Sequence, residues 1–329
     1  MMYFMVRFRK PLVRIAIVTT LALLCAAPSR AQEKVQLRLN LQKGQSYAQI
    51  IALEQKISQT FQSQRVDATI TTRFGIHSQV LESNDDALRI EMTYRSASYE
   101  SRTSDQHGGI ITMRYDSTRP DNTASPQSKI FAAMVGASLV YTISPRGEIL
   151  KVDGQEEMVQ RILSSMDIPA ELRRELSKTL NESIKESVKS QTGQTVGLAV
   201  YPEMPVAIGQ SWELQNSQAV GVPLFTSTRY TLNALENSIA TLAVRSKITG
   251  NPPASAMVIG DSQTKYDMTG TQNGVLRVDE NTGLPNSFEL HQRFFTRVFV
   301  TDSKTPKNET SFPMYIKSTI RGWTIAPPH

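Results

Sequence analysis

Gly44-Gln-Ser46, Gly136-Ala-Ser138 and Gly209-Gln-Ser211 each place a serine two residues after a glycine. A nucleophilic serine of the α/β-hydrolase kind needs a second glycine two positions further on, because the strand-to-helix elbow leaves no room for a side chain. Those positions hold Ala48, Val140 and Glu213, so all three read as ordinary Gly-Ser turns. The histidines are His77, His107, His291 and His329. None has a second histidine at metal-ligand spacing. Asp105-Gln-His107 beside Gly108-Gly109 reads as a solvated loop tip, and His77 and His291 as strand residues facing solvent or a polar rim. The pairs Asp85-Asp86 and Glu156-Glu157 are sequence neighbours, and neighbours in a strand or helix point in different directions. They read as turn and cap residues. Tyr115-Asp116-Ser117 reads as a strand exit with an Asx turn. Phosphate-cradling, EF-hand and dinucleotide fingerprints are absent from the sequence. No catalytic, cofactor or metal residue is therefore assigned, no cofactor is expected, and ligand-binding residues are left open.

The start of the chain says more. Arg7, Arg9, Lys10 and Arg14 precede an apolar run from Ile15 to Ala27, and Ser29-Arg30-Ala31 supplies small residues at a cleavage site. That is the order of a secretory signal peptide over residues 1–31, with a mature chain of 32–329. The expected location is exported, periplasmic or extracellular. Cys25, the only cysteine, lies inside this segment. Cleavage after Ala31 removes it, and Leu24 before it is larger than lipoprotein processing wants. The formal charge of +6 falls to +1 once the five basic residues of the segment are set aside. A balanced mature chain gives no electrostatic case for nucleic acid or an anionic membrane. No second apolar stretch is long enough for a transmembrane helix, so no transmembrane anchor is expected in the mature chain.

Beyond Val35 the signal is strand. Val35 to Leu41 alternates apolar and polar, as do Ala87 to Tyr94, and long segments rich in Ile, Thr, Val and Gln lie between them. Ser128 reads as the cap of a short helix. Leu139–Ile143 and Glu148–Val152 make a hairpin. A helical segment at 155–191 opens on Asp153-Gly-Gln-Glu156, a capping-box pattern, breaks at Pro169, and carries the stripe Leu172, Leu176, Leu180. The second half returns to strands, with Asn273-Gly274 as a hairpin turn. The pattern predicts a mainly β (α+β) fold. Long antiparallel strands form one or more curved sheets or half-barrels, with a helical insertion at about 128–190. Two sheet halves, about 32–153 and 195–329, are suggested by two echoes. Gly44-Gln-Ser-Tyr47 recurs as Gly209-Gln-Ser-Trp212, and Gly147-Glu-Ile-Leu-Lys-Val-Asp153 as Gly274-Val-Leu-Arg-Val-Asp279. The two spacings differ, so chance recurrence of turn chemistry competes with a true repeat. Trp212 is expected to bury its ring where the halves meet.

The ordered series Leu37–Tyr47, Gln55–Thr60, Tyr115-Asp116-Ser117, Val140–Ile149 and Pro202–Trp212 resembles an uncharacterised family of exported bacterial proteins, the domain of unknown function DUF6263. The resemblance covers most of residues 35–320 and implies a bacterial envelope location. It carries no activity and no functional residues. Three readings compete. One is a non-catalytic envelope protein that holds an apolar ligand or an envelope protein partner in a curved sheet, for which periplasmic lipoprotein carriers are a fold-level analogy. The second is a structural or assembly protein with a self-filled core, and the third, the weakest, a hydrolase with an unrecognised site.

Overall fold

The computed structural model describes residues 34–61, 64–105, 109–119, 125–189, 200–218, 224–250, 256–259, 262–302 and 309–325. The signal-like segment and the cleavage point lie outside the described residues, as do His107 and His329. From Lys34 onward the chain forms one compact unit.

Its body is a 13-stranded antiparallel sheet. The first half supplies β2 (Ser46–Phe61), β3 (Gln64–Ser83), β4 (Leu88–Ser104), β5 (Ile110–Asp116), β6 (Ser138–Ile143) and β7 (Ile149–Asp153). The second half supplies β9 (Ser211–Gln218), β10 (Leu224–Glu236), β11 (Ile239–Gly250), β12 (Ala256–Ile259), β13 (Ser262–Asp279), β14 (Pro285–Asp302) and β15 (Glu309–Ile325). The strand order is β7-β6-β4-β3-β2-β15-β14-β13-β11-β10-β9, with β5 on β4 and β12 on β13. The two short strands β1 (Lys34–Val35) and β8 (Val206–Ala207) pair only with each other. Among the described residues, three helices interrupt the strands: α1 (Pro126–Met134), α2 (Gln155–Ser165) and α3 (Ala170–Lys189). The helical insertion thus starts at Pro126 and contains the β6–β7 hairpin.

The sheet is strongly curled. The Leu39 amide donates to Pro145 O at 2.7 Å, in the β6–β7 turn, and the next amide, Asn40, donates to Thr282 O at 2.9 Å, in the β13–β14 turn. In a flat sheet those turns would stand five or six strand spacings apart, roughly 24–29 Å. Two consecutive residues are only about 3.8 Å apart. The residues at 36–41 are extended but unladdered, so they form a strap across one end of the sheet rather than the strand their alternation predicts. The alternation survives because Leu37, Leu39 and Leu41 all point into the core. A second strap repeats the job. Tyr201 N donates to Arg146 O at 2.8 Å, and its hydroxyl donates to Gly283 O at 2.5 Å. Around both straps one apolar cluster gathers Val80, Ile90 and Ile143 from the first half and Leu232, Leu242 and Val278 from the second.

The two Gly-Gln-Ser turns are built alike. Gly44 and Gly209 both have φ +87, and each amide donates to the second strand that follows, at Val80 O in β3 and Leu232 O in β10. The Gln45 and Gln210 side chains each accept from the amide three residues back, at 2.6 and 2.9 Å. A bulge follows each anchor, between Val80 and Glu82 and between Leu232 and Ala234. Further on, Ile143 pairs with Ile149 and Val278 with Pro285, again across matching irregularities. The second sequence echo has no such counterpart: Gly147 lies in a turn and Gly274 in the middle of a strand.

That placement overturns the Asn273-Gly274 hairpin. Both residues are paired within β13, opposite His291 and Leu290. A Cβ on Gly274 would collide with Glu289 O, so the glycine serves close strand approach rather than a turn. The turn falls at 280–284 instead, where Gly283 takes φ +69. Two caps also move. Ser125, not Ser128, caps α1 and accepts from the Ser128 amide, since Pro126 occupies the first helical position, where its missing N–H is no loss. The capping box at 153–156 is not made. Asp153 still belongs to β7 and pairs with Lys151 at 2.7 Å, leaving Gly154 at φ +88 as the cap. The α3 stripe is half-buried and packs on α2 and the edge strand β7. Leu163 of α2 is the more deeply buried, at 3 % exposure.

This packing sets two expectations for stability. Gly283→Ala should lower it by about 2–4 kcal/mol, because a Cβ there collides with Arg38 O in a left-handed conformation. Gly44→Ala has open space and should cost only about 1 kcal/mol of backbone strain. Urea midpoints of the two variants would separate these values, and equal losses would mean that the strap contact is not made. Leu163→Ala should cost about 2–4 kcal/mol and Leu176→Ala less than about 1.5 kcal/mol. Thermal melts measure both.

Candidate ligand-binding face

Period-2 alternation gives the curled sheet one inner and one outer face. Along β11 the inner set is Ala240, Leu242, Val244, Ser246 and Ile248, all buried. The first three belong to the core around the straps. At Ser246 the inner face changes character. Directly opposed residues on six neighbouring strands form a polar belt: Thr228, Ser246, Gln272, Gln292, Ser318 and Gln55. Its members bond sideways. Thr228 Oγ1 and Ser246 Oγ lie 2.9 Å apart, Gln272 Nε2 donates to Ser246 Oγ at 3.2 Å, Gln292 Nε2 to Gln272 Oε1 at 2.7 Å, and Gln55 Nε2 to Ser318 Oγ at 3.3 Å. Buried hydroxyls and amides are costly alone, and the belt satisfies them with one another.

Beyond the belt, the inner face is apolar again. Ile248, Gly270, Phe294, Ile316 and Ile57 make the next row. The Phe294 ring lies over Gly270, where a Cβ would come within 2.5 Å of it. Met268, Thr296 and Met314 follow, then Tyr266, Val298 and Phe312. Met268, Thr296 and Val298 are buried, while Ile57, Phe294, Phe312, Met314 and Ile316 are half-buried. Two buried acceptors in this zone, Asn216 Oδ1 and Thr296 Oγ1, have no hydrogen-bond partner among the described residues. At the rim, β11 ends and β12 begins along β13. The notch between them holds a recess of about 410 Å³ that opens mainly to the outer face, where Thr249, Lys265, Asp267, Thr269 and Phe299 line it.

The helices cover the other side of the same face. Phe131 of α1 stacks on Phe74 at 5.8 Å and on Tyr99 at 5.1 Å, both inner residues of β3 and β4. α2 packs on α1 and β6, and α3 on α2 and β7. The apolar rows on β13, β14, β15 and β2 are outside these contacts.

A second recess, of about 520 Å³, lies at the strap end between the first Gly-Gln-Ser turn and the β13–β14 turn. Tyr47 lines it with its ring buried and its hydroxyl unpartnered among the described residues. Burial pushes the Tyr47 phenol up to about 12, with Ser78 opposite acting the other way. Burial also raises Tyr141 and Tyr201. Trp212, which matches Tyr47 in the second half, is half-buried. It stacks on Tyr230 at 5.4 Å, and its Nε1 donates to Val200 O at 3.1 Å.

The residues weighed for chemistry are dispersed. Ser46 and Ser211 follow the twin turns, with Ser211 2.8 Å from Thr231, and Ser138 lies 2.7 Å from Thr93. His291 is on the outer face between Glu289 and Thr319. Asp116 makes its Asx turn with Thr118, which holds the carboxyl below the usual range. Asp105 accepts from the Gly109 amide at 2.6 Å. Asn84, rather than Asp85 or Asp86, accepts the turn amides before β4. Among the described residues, no group of three or more metal-binding side chains converges, and no helix is long and apolar enough to cross a membrane. The inner belt escaped the sequence reading because its members sit far apart in the chain. Its only trace is a Ser, Thr or Gln interrupting each alternating apolar run.

The model of a family of unknown function, DUF6263, matches residues 85–285. The chain belongs to that family. None of the curated proteins matches this DUF6263 chain. Among solved structures it is similar to lipovitellin, in a structure concerned with lipid–protein interactions, at 11% identity and a TM-score of 0.48 over 88% of this chain. It spans about a quarter (26%) of that chain. It is also similar to the OccK7 (OpdD) protein of Pseudomonas aeruginosa, at 6% identity and 0.23 over 86% of this chain and 99% of that one. The translocator domain of the autotransporter NalP from Neisseria meningitidis matches at 4% and 0.21 over 86% and 89%. At these scores function has to be argued from the site itself.

The buried tyrosines predict an alkaline transition. Tyr47 folds with its phenol protonated up to about pH 12, whereas an unfolded tyrosine ionises near pH 10. Its contribution is therefore complete below about pH 10 and is lost as pH rises from about 10 to about 12, by about 2–3 kcal/mol. The denaturant midpoint of the wild type should fall relative to that of Tyr47→Phe across that range, since the phenylalanine has no proton to lose. Parallel curves would show that Tyr47 titrates normally.

Proposed function

We propose that this DUF6263 protein is an exported, non-catalytic carrier that holds an apolar ligand of acyl-chain type against the inner face of β13, β14, β15 and β2. The observation that carries this reading is the apolar zone beyond the polar belt. Ile57, Phe294, Phe312, Met314 and Ile316 stay half-buried there, while α1 covers the equivalent zone over β3 and β4. Ligand sites combine an apolar wall with a few placed polar groups. Here the wall spans four strands, roughly 14 Å, and Thr296 Oγ1 on β14 is an acceptor for a donor on the ligand. Export rests on the basic, apolar and small-residue order of residues 1–31.

An assembly protein with a self-filled core is the second reading, and the α1 stack on Phe74 and Tyr99 favours it. Native mass spectrometry of the chain purified from its own envelope, paired with titration of a fluorescent acyl probe, separates the two. The carrier reading expects bound lipid and saturable probe binding. It also expects Ile57→Asn/Ile316→Asn to weaken the probe at least tenfold, with Leu176→Ala unchanged. No co-purified lipid and no probe binding would leave the self-filled core.

A further inference from the structure

The outer face carries a line of cations that the sheet neutralises only in part. Arg293 of β14 is directly opposite Lys317 of β15, and Lys317 is directly opposite Lys56 of β2. The same row continues through Thr271 to Lys247 on one side and through Thr69 to Arg102 on the other. All five cations are exposed. Like charges directly opposed across strands destabilise a sheet, and here three occupy adjacent strands. Lys56 pairs with Glu54 at 3.2 Å. Arg293 and Lys317 have no ion-pair partner among the described residues.

One step further along the same strands, on the same face, Phe295 and Tyr315 are also directly opposed. Their rings meet at 5.0 Å and remain 41 % and 55 % exposed. Arg297 lies beyond them. A soluble surface gains nothing from a paired aromatic step beside a basic row neutralised only in part. A bilayer surface uses both, since aromatic rings settle at headgroup level and lysine or arginine side chains meet anionic headgroups.

We infer that this face, centred on Arg293, Lys317, Lys56, Phe295 and Tyr315, docks on an anionic lipid surface. The three adjacent strands present the contacts within roughly 10 Å across the sheet, a patch narrow enough to meet a plane although the sheet curls. The near-neutral charge of residues 32–329 does not oppose this, because docking depends on how charge is sorted over the surface rather than on its sum. The inference stands on the outer face and is independent of what the inner face holds.

Vesicle co-sedimentation of the full chain tests it, with phosphatidylcholine vesicles and with vesicles containing about 30% phosphatidylglycerol, an anionic fraction large enough to give the surface a negative potential. Binding to phosphatidylcholine alone reads the apolar run at 15–27. The increment on adding phosphatidylglycerol reads the five basic residues of 1–31 together with the patch, and the difference between wild type and the patch variant reads the patch. Lys56→Gln/Arg293→Gln/Lys317→Gln should reduce that increment by about 100-fold, at about fivefold per cation. The control Arg119→Gln/Arg174→Gln/Lys178→Gln removes the same charge elsewhere and should change it only a few-fold. Unchanged thermal melts confirm that the variants fold. Phe295→Trp should gain an emission that shifts to the blue on phosphatidylglycerol vesicles and is quenched by brominated lipid. Equal losses in the two triple variants, or an emission from the Phe295→Trp variant that is indifferent to vesicles, would overturn the inference. Patch-dependent binding to soluble polyglutamate without binding to vesicles would also overturn it, in favour of an acidic protein partner.

Discussion

Two consecutive amides, those of Leu39 and Asn40, donate to two turns that belong to opposite parts of a 13-stranded sheet. The rest of the architecture depends on that constraint. Once Pro145 and Thr282 are held within a few ångströms of one strap, the sheet has to coil, and its inward side chains meet around the straps instead of facing water. Hydrogen bonds fix the geometry, but burial stabilises it. Leu37, Leu39, Leu41 and Tyr201 are almost fully enclosed, and burying each such side chain is worth roughly 1.5–3 kcal/mol. The amides set where that burial takes place.

The two halves share a scaffold and differ in filling. Their Gly-Gln-Ser turns, bulges and hairpin irregularities correspond. The paired positions after each turn do not: Tyr47 faces Ser78 in one half, and Trp212 faces Tyr230 in the other. A ring beside a small hydroxyl leaves an unpartnered phenol and a recess. A ring on a ring fills the space and ties Trp212 to the second strap. The same division holds further along the strands, where α1 packs on Phe74 and Tyr99 in the first half while the matching zone of the second stays partly open. Backbone repetition with side-chain divergence gives one stable frame two different interiors.

Much of this was legible in the sequence, and what was missed shares a cause. Alternation located the long strands, Pro169 separated the two long helices, and the Gly-Gln-Ser echo marked turns that are alike. Each of these signals is local. The failures came where a distant element decides. Asn273-Gly274 has the chemistry of a turn, yet the backbone of β14 at Glu289 and Leu290 occupies the space beside it and keeps it in the strand. Asp153 has the chemistry of a cap, yet its ladder pairing with Val140 of β6 keeps it in β7. Residues 36–41 alternate like a strand, but their partners are two turns about 100 and 240 residues away along the chain. The polar belt and the cationic row are defined by register across as many as seven strands, information that no window of sequence contains.

The strand path ends at β7 and β9 without joining them. A closed barrel has its circumference fixed by strand number and shear, so its interior cannot grow without breaking a ladder. In this protein the two end strands share no ladder hydrogen bonds among the described residues, and the straps described above lie at one end. The far end carries no such strap among the described residues. An interior bounded by such a seam has a width that strand number and shear do not fix, unlike that of a closed barrel.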